Sequence, residues 1–310
     1  MGSAADDDAG RLRGVALMLA SALGFSVMSL LVKVASSELP AMEIVFVRSL
    51  FMTAATAALV ARAGAPVLGV DRRTLAARGI VGAAAMCLLY WSLGRLPLGD
   101  ATTVHYTAPV WTALAAAWLL GERVPRTVVV GVAASLTGVV LIARPTALAA
   151  AADPVAVATA LASALLSGVA YTLVRKLRST DAPATIILWL SAAGIAASAP
   201  FALSGAWRWP SATAWLVLAG IGLATLVGQF ALTHGLRRLE AGTATTIGYA
   251  QIVFAFGWGA LVFGEQPSAG AVAGAGLVAA SVALVAGRAT AAPRAPAAGR
   301  PSRRRGAGAG

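Results

Sequence analysis

The chain has 310 residues, of which 59% are hydrophobic and only 12% are charged, and its mean hydropathy is +0.81. A water-soluble domain carries about 45–50% apolar and about 25% charged residues, so this composition excludes an ordinary soluble domain and places much of the surface in lipid. The net charge of +12 does not indicate nucleic-acid binding, because the basic residues lie at the ends of apolar runs, where cytoplasmic lipid headgroups favour them.

Apolar stretches follow one another along the whole chain, each near the roughly 20 residues that a helix needs to cross a bilayer. They cover approximately residues 14–35, 41–61, 79–94, 101–120, 127–143, 154–174, 184–203, 212–234, 241–263 and 267–287. Prolines fall at or next to most run ends, as is typical of helix starts. We therefore predict an all-α integral membrane protein with ten transmembrane helices.

The two ends of the chain differ from the apolar runs between them. Residues 1–13 are predicted to be a cytoplasmic tail, and we expect the first run to be a retained helix because it is longer than the core of a typical signal peptide. Residues 288–310 are rich in Ala, Pro, Gly and Arg and are predicted to be disordered. The single cysteine, Cys87, lies inside an apolar run, and we expect no disulfide, metal or cofactor.

Lysine and arginine are distributed unequally between alternate loops, which sets the orientation of a membrane protein. Most of the basic residues lie on one side: near residue 12, in the loops near 62–78, 123–126, 175–178 and 237–238, and in the tail. The other side holds only Lys33, Arg95, Arg144 and Arg208. We predict a multi-pass protein of the inner (plasma) membrane with both termini in the cytoplasm.

An internal repeat relates the two halves by a shift of about 143 residues. The matching positions are Ala101-Thr102-Thr103 with Ala244-Thr245-Thr246, Tyr106 with Tyr249, and Gly121-Glu122 with Gly264-Glu265. Each predicted half, 14–144 and 154–287, holds an odd number of runs, so the copies lie in opposite orientations. Such inverted repeats are typical of secondary transporters, which bind substrate near the membrane midplane.

Three segments resemble the EamA-like transporters of the drug/metabolite transporter superfamily. The segment PLGDATTVHYTAPVWTALAAAWLLGERV (97–124) is similar to the family's fourth helix, and GTATTIGYAQIVFAFGWGALVFGEQP (242–267) to its ninth. LPAMEIVFVR (39–48) resembles the start of the second helix, where an arginine is common. Ile252 stands where the first half has Pro109, so the kink of the fourth helix is expected to lack a partner.

The resemblance covers residues 14–287 and implies a central cavity with alternating access. It implies export of small polar metabolites such as amino acids or their derivatives, with uptake of S-adenosylmethionine or nucleotide-like compounds as the alternative. Proton coupling and a homodimer remain open. A membrane-embedded enzyme or lipid-handling protein is disfavoured, because the sequence has no phosphate loop, zinc motif or nucleophile elbow. A channel is disfavoured because it usually needs rings of like charge from several subunits, whereas the internal repeat already supplies a cavity.

Polar and aromatic residues inside the apolar runs are the candidates for a substrate site, because polar groups at membrane depth are costly. They are Arg48, Glu43, His105, Tyr106, Trp111, Tyr90, Gln229, Tyr249 and Gln251. Arg48 lies about 10 Å into its helix and is predicted to bind a carboxylate or phosphate. The alternative is that Arg48 pairs with a neighbouring carbonyl or with Glu43.

The other candidates have a functional and a structural interpretation each. Glu43 is a candidate for proton binding, or else its carboxylate complements the dipole of a helix end. His105 is a candidate for proton binding, or else a structural histidine held by a hydrogen bond. Tyr106 and Tyr249 are expected near opposite membrane faces, as gates or as interface aromatics. Tyr90, Trp91 and Trp111 would form an aromatic wall for a planar or cationic substrate, unless they only pack between helices. Gln229 and Gln251 would hydrogen-bond the substrate or each other.

Overall fold

The computed structural model describes residues 2–121, 126–143, 153–177, 179–204, 207–236 and 247–291, and within these ranges the chain forms helices and turns but no strand. The helices are α1 (Gly2–Ala35), α2 (Ala41–Ala63), α3 (Arg72–Leu93), α4 (Leu98–His105), α5 (Ala108–Leu120), α6 (Arg126–Ala143), α7 (Pro154–Leu177), α8 (Pro183–Leu203), α9 (Ala212–Leu236), α10 (Ala250–Phe263) and α11 (Ala269–Ala291). The all-helical character expected from the sequence is confirmed for the described residues.

Six of these helices are long and apolar enough to cross a membrane: the apolar part of α1 from Leu12, and α2, α3, α7, α8 and α9. Shorter apolar segments lie at Val129–Ile142, Ala250–Phe263 and Ala269–Ser281. Helices α4 and α5 together fill the fourth apolar run and are separated by a turn at residues 106–107.

Helix α3 begins well before the apolar run that predicted it. Asp71 caps its start, because the Asp71 carboxylate accepts the Thr74 N–H at 3.1 Å and the Thr74 hydroxyl at 2.6 Å. Arg78, which the sequence placed in the preceding loop, therefore lies inside a helix. At the other end of the chain, α11 runs to Ala291, past the predicted start of the tail at residue 288, and residues 292–310 lie outside the described ranges.

Close contacts between small residues hold the helix pairs together. A Cβ atom on Gly24 of α1 would lie 3.1 Å from the backbone of Gly228 on α9, and one on Gly138 of α6 would lie 2.8 Å from the Gly274 carbonyl oxygen on α11. Because lipid supplies no hydrophobic force between helices, such backbone approach is the main source of helix association in a membrane. Helix α3 packs against both α7 and α8, and α2 packs against α8.

The loop between α2 and α3 is fastened to the turn between α7 and α8. The Asp181 carboxylate accepts the N–H groups of Val70, at 2.6 Å, and Asp71, at 3.3 Å, and the Thr180 hydroxyl at 2.7 Å. Burial raises the pKa of Asp181, but these donors outweigh burial and hold the pKa below its ordinary value of 3.8. Asp181 is therefore charged at neutral pH and ties the two halves together at this end.

Candidate functional site

Two helix breaks face each other in the interior of the protein. Helix α4 ends at His105, and α5 restarts at Ala108 after a turn in which the Val110 N–H donates to the Thr107 carbonyl. In the second half, residues 247–248 are helical, Tyr249 forms a turn and α10 begins at Ala250. The expectation that the first break lacks a partner is wrong. Pro109 lies in the first turn of α5, where proline is tolerated but not required, so Ile252 permits the same break.

The two repeat-related tyrosines meet at these breaks. The ring centroids of Tyr106 and Tyr249 are 5.7 Å apart, and the Tyr106 hydroxyl donates to Gln251 Oε1 at 2.7 Å. The expectation that they lie near opposite membrane faces is wrong, because two rings in contact lie at the same depth. The buried Tyr249 hydroxyl has no hydrogen-bond partner among the described residues.

Arg48 is buried in α2 without a counter-ion among the described residues. Its Nη1 contacts the sulfur of Met86 at 2.6 Å, and its Nε has no hydrogen-bond partner. The predicted alternative, a pair with Glu43, is not formed: Glu43 Oε2 accepts the backbone N–H of Arg208 at 3.1 Å. Glu43 is fully buried under the segment that follows α8, and its Oε1 is unpartnered.

His105 has a well-defined structural contact. The hydroxyl of Ser163 on α7 donates to the Ala85 carbonyl at 2.8 Å, and the same oxygen lies 3.3 Å from His105 Nδ1. Since the only hydroxyl proton is already donated, His105 must donate from Nδ1, which assigns the tautomer of its neutral form. This chain of hydrogen bonds joins α4, α7 and α3 beside the first helix break.

The remaining predicted residues are dispersed rather than collected in one wall. Trp111 donates from Nε1 to the Thr107 hydroxyl at 3.1 Å, and its Cβ packs closely on Gly168 of α7. Gln229 is half-buried on α9, the helix that packs chiefly against α1. Tyr90 lies on α3, where its hydroxyl contacts the sulfur of Met28 at 3.2 Å. Of the three residues of the predicted aromatic wall, Tyr90 and Trp91 line one cavity, described below, and Trp111 is not part of its lining.

A cavity of about 550 Å³ lies at the end of the protein where α1 meets α2, the side predicted to be outer. Its lining includes Glu38, Tyr90, Trp91, Arg95 and Arg208. The guanidinium of Arg95 stacks on the Trp91 ring at 3.7 Å from its centroid, which fixes one positive charge at the mouth. Polar groups and aromatic surface thus face the space together, as in a vestibule for a polar solute.

An ion pair between Lys33 and Glu265 joins α1 to the end of α10. Lys33 also donates to the Leu96 carbonyl at 2.6 Å, and Glu265 Oε2 accepts the Leu98 N–H at 2.9 Å, so the pair also holds the start of α4. The sequence indicated only a helix end at Glu265. Its repeat partner Glu122 lies outside the described residues.

Two consecutive segments, residues 12–144 and 154–287, each match the sequence model of the EamA-like transporter family. The chain belongs to this family. The pseudopaline exporter CntI of Pseudomonas aeruginosa is 32% identical over 261 residues, which cover 84% of this chain and 91% of that protein. Human solute carrier family 35 member G1 is 29% identical over 276 residues, covering 84% of this chain and 75% of that one.

A solved crystal structure shares the fold, with a TM-score of 0.61 at 20% identity over 89% of this chain and 96% of the other. Family, relatives and apolar helices together identify a multi-pass membrane transporter for a small-molecule substrate. The recognition made from the three sequence segments is confirmed.

Neutralising either member of the Lys33–Glu265 pair is expected to lower the thermal unfolding temperature of the purified protein. Both side chains are largely buried, at 15% and 20% exposed, so each single variant, Lys33→Gln or Glu265→Gln, leaves the other charge without its partner. We expect a loss of roughly 2–4 °C for each kcal/mol removed, measured by tryptophan fluorescence in detergent.

A double-mutant cycle supplies the control. The double variant with both neutral residues should be more stable than the sum of the single losses predicts, because no unpaired charge remains. Additive losses would show that the two side chains do not interact.

Proposed function

We propose that this protein is a secondary transporter that exports a small polar metabolite with an acidic group, such as an amino acid or a derivative, across the plasma membrane. Transport proceeds by alternating access through a central cavity between the two halves. The observation that carries the proposal is Arg48, a buried arginine without a counter-ion among the described residues.

A buried arginine needs a partner at membrane depth. Moving a charged side chain out of water costs several kcal/mol or more, and a protein keeps it where function requires it. The planar guanidinium binds carboxylates and phosphates through two parallel hydrogen bonds, which suits an acidic group on the substrate. An exporter among the relatives, named for pseudopaline, supports outward movement of a small metabolite.

The proposed architecture is ten transmembrane helices in two inverted five-helix repeats, 14–144 and 154–287. Two features support it: the family match occurs once in each half, and the helix breaks at Tyr106 and Tyr249 meet in the interior. Discontinuous helices that meet at the repeat interface are where transporters of this kind bind substrate. Rocking of one repeat against the other would expose that interface to each side in turn.

Both termini and the loop around residue 67 are proposed to face the cytoplasm. In a Cys87→Ser background, we expect a cysteine at Val67, which is 57% exposed, to react with a membrane-impermeant maleimide only after cell lysis. A cysteine at Trp209, which is 81% exposed, should react in intact cells. The same accessibility for both cysteines, or the reverse pattern, would refute the orientation.

Transport itself is tested by counterflow in proteoliposomes with a panel of radiolabelled amino acids. The wild type should show saturable counterflow of at least one solute, and Arg48→Gln should lower the rate by about tenfold or more, the cost of losing a charged hydrogen bond. Arg62→Gln, an exposed arginine on the same helix, is the matched control and should transport normally.

Equal rates in the Arg48 and Arg62 variants would remove Arg48 from the substrate site. Non-saturating flux that is proportional to concentration would point to a channel instead of a carrier.

A further inference from the structure

A second buried arginine lies close to Arg48. Arg78 of α3 is 8% exposed and Arg48 is 7% exposed, so each arginine is more than nine-tenths buried. The sequence had assigned Arg78 to the basic inner loop. Its Nε and Nη1 atoms have no hydrogen-bond partner in the part of the chain that the structure describes.

The Arg78 side chain points away from the nearest membrane surface. Arg78 lies near the start of α3, yet its guanidinium lies against Gly82, four residues further into the helix, where a Cβ atom would be 3.2 Å from Arg78 Cζ. An arginine that merely escapes from lipid extends toward the headgroups, which is the opposite direction. The missing side chain at Gly82 makes the space that the guanidinium fills.

The two guanidinium groups are neighbours along α3. Arg78 contacts Gly82, and Arg48 contacts Met86, which lies one turn beyond Gly82 on the same face of the helix. Gly82 and Met86 are four residues apart, or about 6 Å along the helix, which approximates the distance between the two contacts. The Tyr171 hydroxyl and the Arg48 guanidinium both lie within electrostatic range of Arg78.

No carboxylate whose side chain the structure describes neutralises this pair of charges. Each of these has other partners or neighbours: Asp71 binds Thr74, Asp181 binds Val70, Glu38 binds Ser211, Glu43 binds Arg208, Asp153 binds Val155, Glu265 binds Lys33, and Asp100 lies beside the Lys33–Glu265 pair. The space between α2 and α3 therefore carries uncompensated positive charge in the described structure.

Hydroxyl groups add to this excess of donors. Ser49 follows Arg48 on α2, Thr53 lies one turn beyond Ser49, and the buried hydroxyl oxygens of both have no hydrogen-bond partner among the described residues. Ser49 packs on Gly194 of α8, and the Ser49 hydroxyl and the end of the Met86 side chain, which Arg48 also contacts, both border the place where a Gly194 side chain would lie. The unpartnered N–H groups of the two arginines and the Ser49 hydroxyl form a site that is complementary to a multiply charged anion.

We propose that Arg78 is a second anion-binding residue of the substrate site, so that the transported metabolite carries two negative charges, as two carboxylates or as one phosphate group bridging Arg48 and Arg78. This inference rests on the proposed function and narrows its substrate class. A substrate with one carboxylate would leave one of the two buried charges without a partner.

The test measures ligand-induced thermal stabilisation of the purified full-length protein in lipid nanodiscs. The probes are succinate, its monomethyl ester and inorganic phosphate, which separate a dicarboxylate, a single carboxylate and a phosphate. We expect succinate or phosphate to bind the wild type at least about tenfold more tightly than the ester. Arg78→Gln should abolish this preference, Arg78→Lys should keep part of it, and Arg73→Gln, an exposed neighbour on α3, should leave it unchanged.

Stability without ligand distinguishes this role from a structural one. If Arg78 is an unpaired charge kept for binding, Arg78→Gln should unfold at the same or a higher temperature than the wild type without ligand. Gly82→Ala should also weaken succinate or phosphate binding, because its methyl group displaces the guanidinium.

Several results would overturn the inference. The first is that neither succinate nor phosphate binds the wild type more tightly than the ester. The second is that Arg78→Gln keeps the wild-type preference for succinate or phosphate over the ester. The third is that Arg78→Gln unfolds at a markedly lower temperature than the wild type without ligand. Counterflow in proteoliposomes is measured separately. If counterflow is present but the preference for succinate or phosphate does not depend on Arg78, only the proposed substrate class is wrong. If saturable counterflow is absent, the transporter proposal is wrong.

Discussion

The absence of water in the bilayer core governs this structure. A backbone group or charge that faces lipid has no solvent partner, so irregular backbone and ionised side chains persist at membrane depth only where protein or a cavity surrounds them. The breaks at Tyr106 and Tyr249 and the buried guanidinium of Arg48 are such features, and all three lie inside the helical assembly. That costly features persist in the interior is the physical basis for the substrate site proposed there.

The packing around this interior combines close contacts with charges at the ends. Helix pairs approach through glycines such as Gly24 and Gly228, which needs no polar group and suits lipid. Ionic contacts are concentrated where water is near: Lys33–Glu265 fastens one end of the bundle, and Asp181 fastens a loop of the first half to the second at the other. Both kinds of contact join one half of the chain to the other, because α1 and α9, like Lys33 and Glu265, belong to different halves.

Composition and hydrophobic run length were enough to predict the helical membrane fold, because those signals extend over twenty residues at a time. The geometry of the candidate site could not be predicted in the same way, because it depends on contacts between distant parts of the chain that the sequence pattern does not contain. Tyr106 and Tyr249 were recognised as equivalent, but their contact depends on how far each helix is tilted and broken. Arg78 was missed because an apolar-run boundary cannot locate a helix start fixed by the Asp71 cap, although its spacing of four residues from Gly82 is visible in the sequence.

Water access to the protein-facing side of α2 is the most direct test of this account. Thr53 lies at the edge of that side, one turn beyond Ser49, and its buried hydroxyl has no hydrogen-bond partner among the described residues, whereas Leu50 is 45% exposed on the outside of the bundle, where lipid is expected. In a Cys87→Ser background, a cysteine at position 53 should react with a charged, water-soluble thiol reagent in proteoliposomes, and a cysteine at position 50 should not. Reaction at position 50 with none at position 53 would contradict a polar cavity between the helices and the function assigned to it.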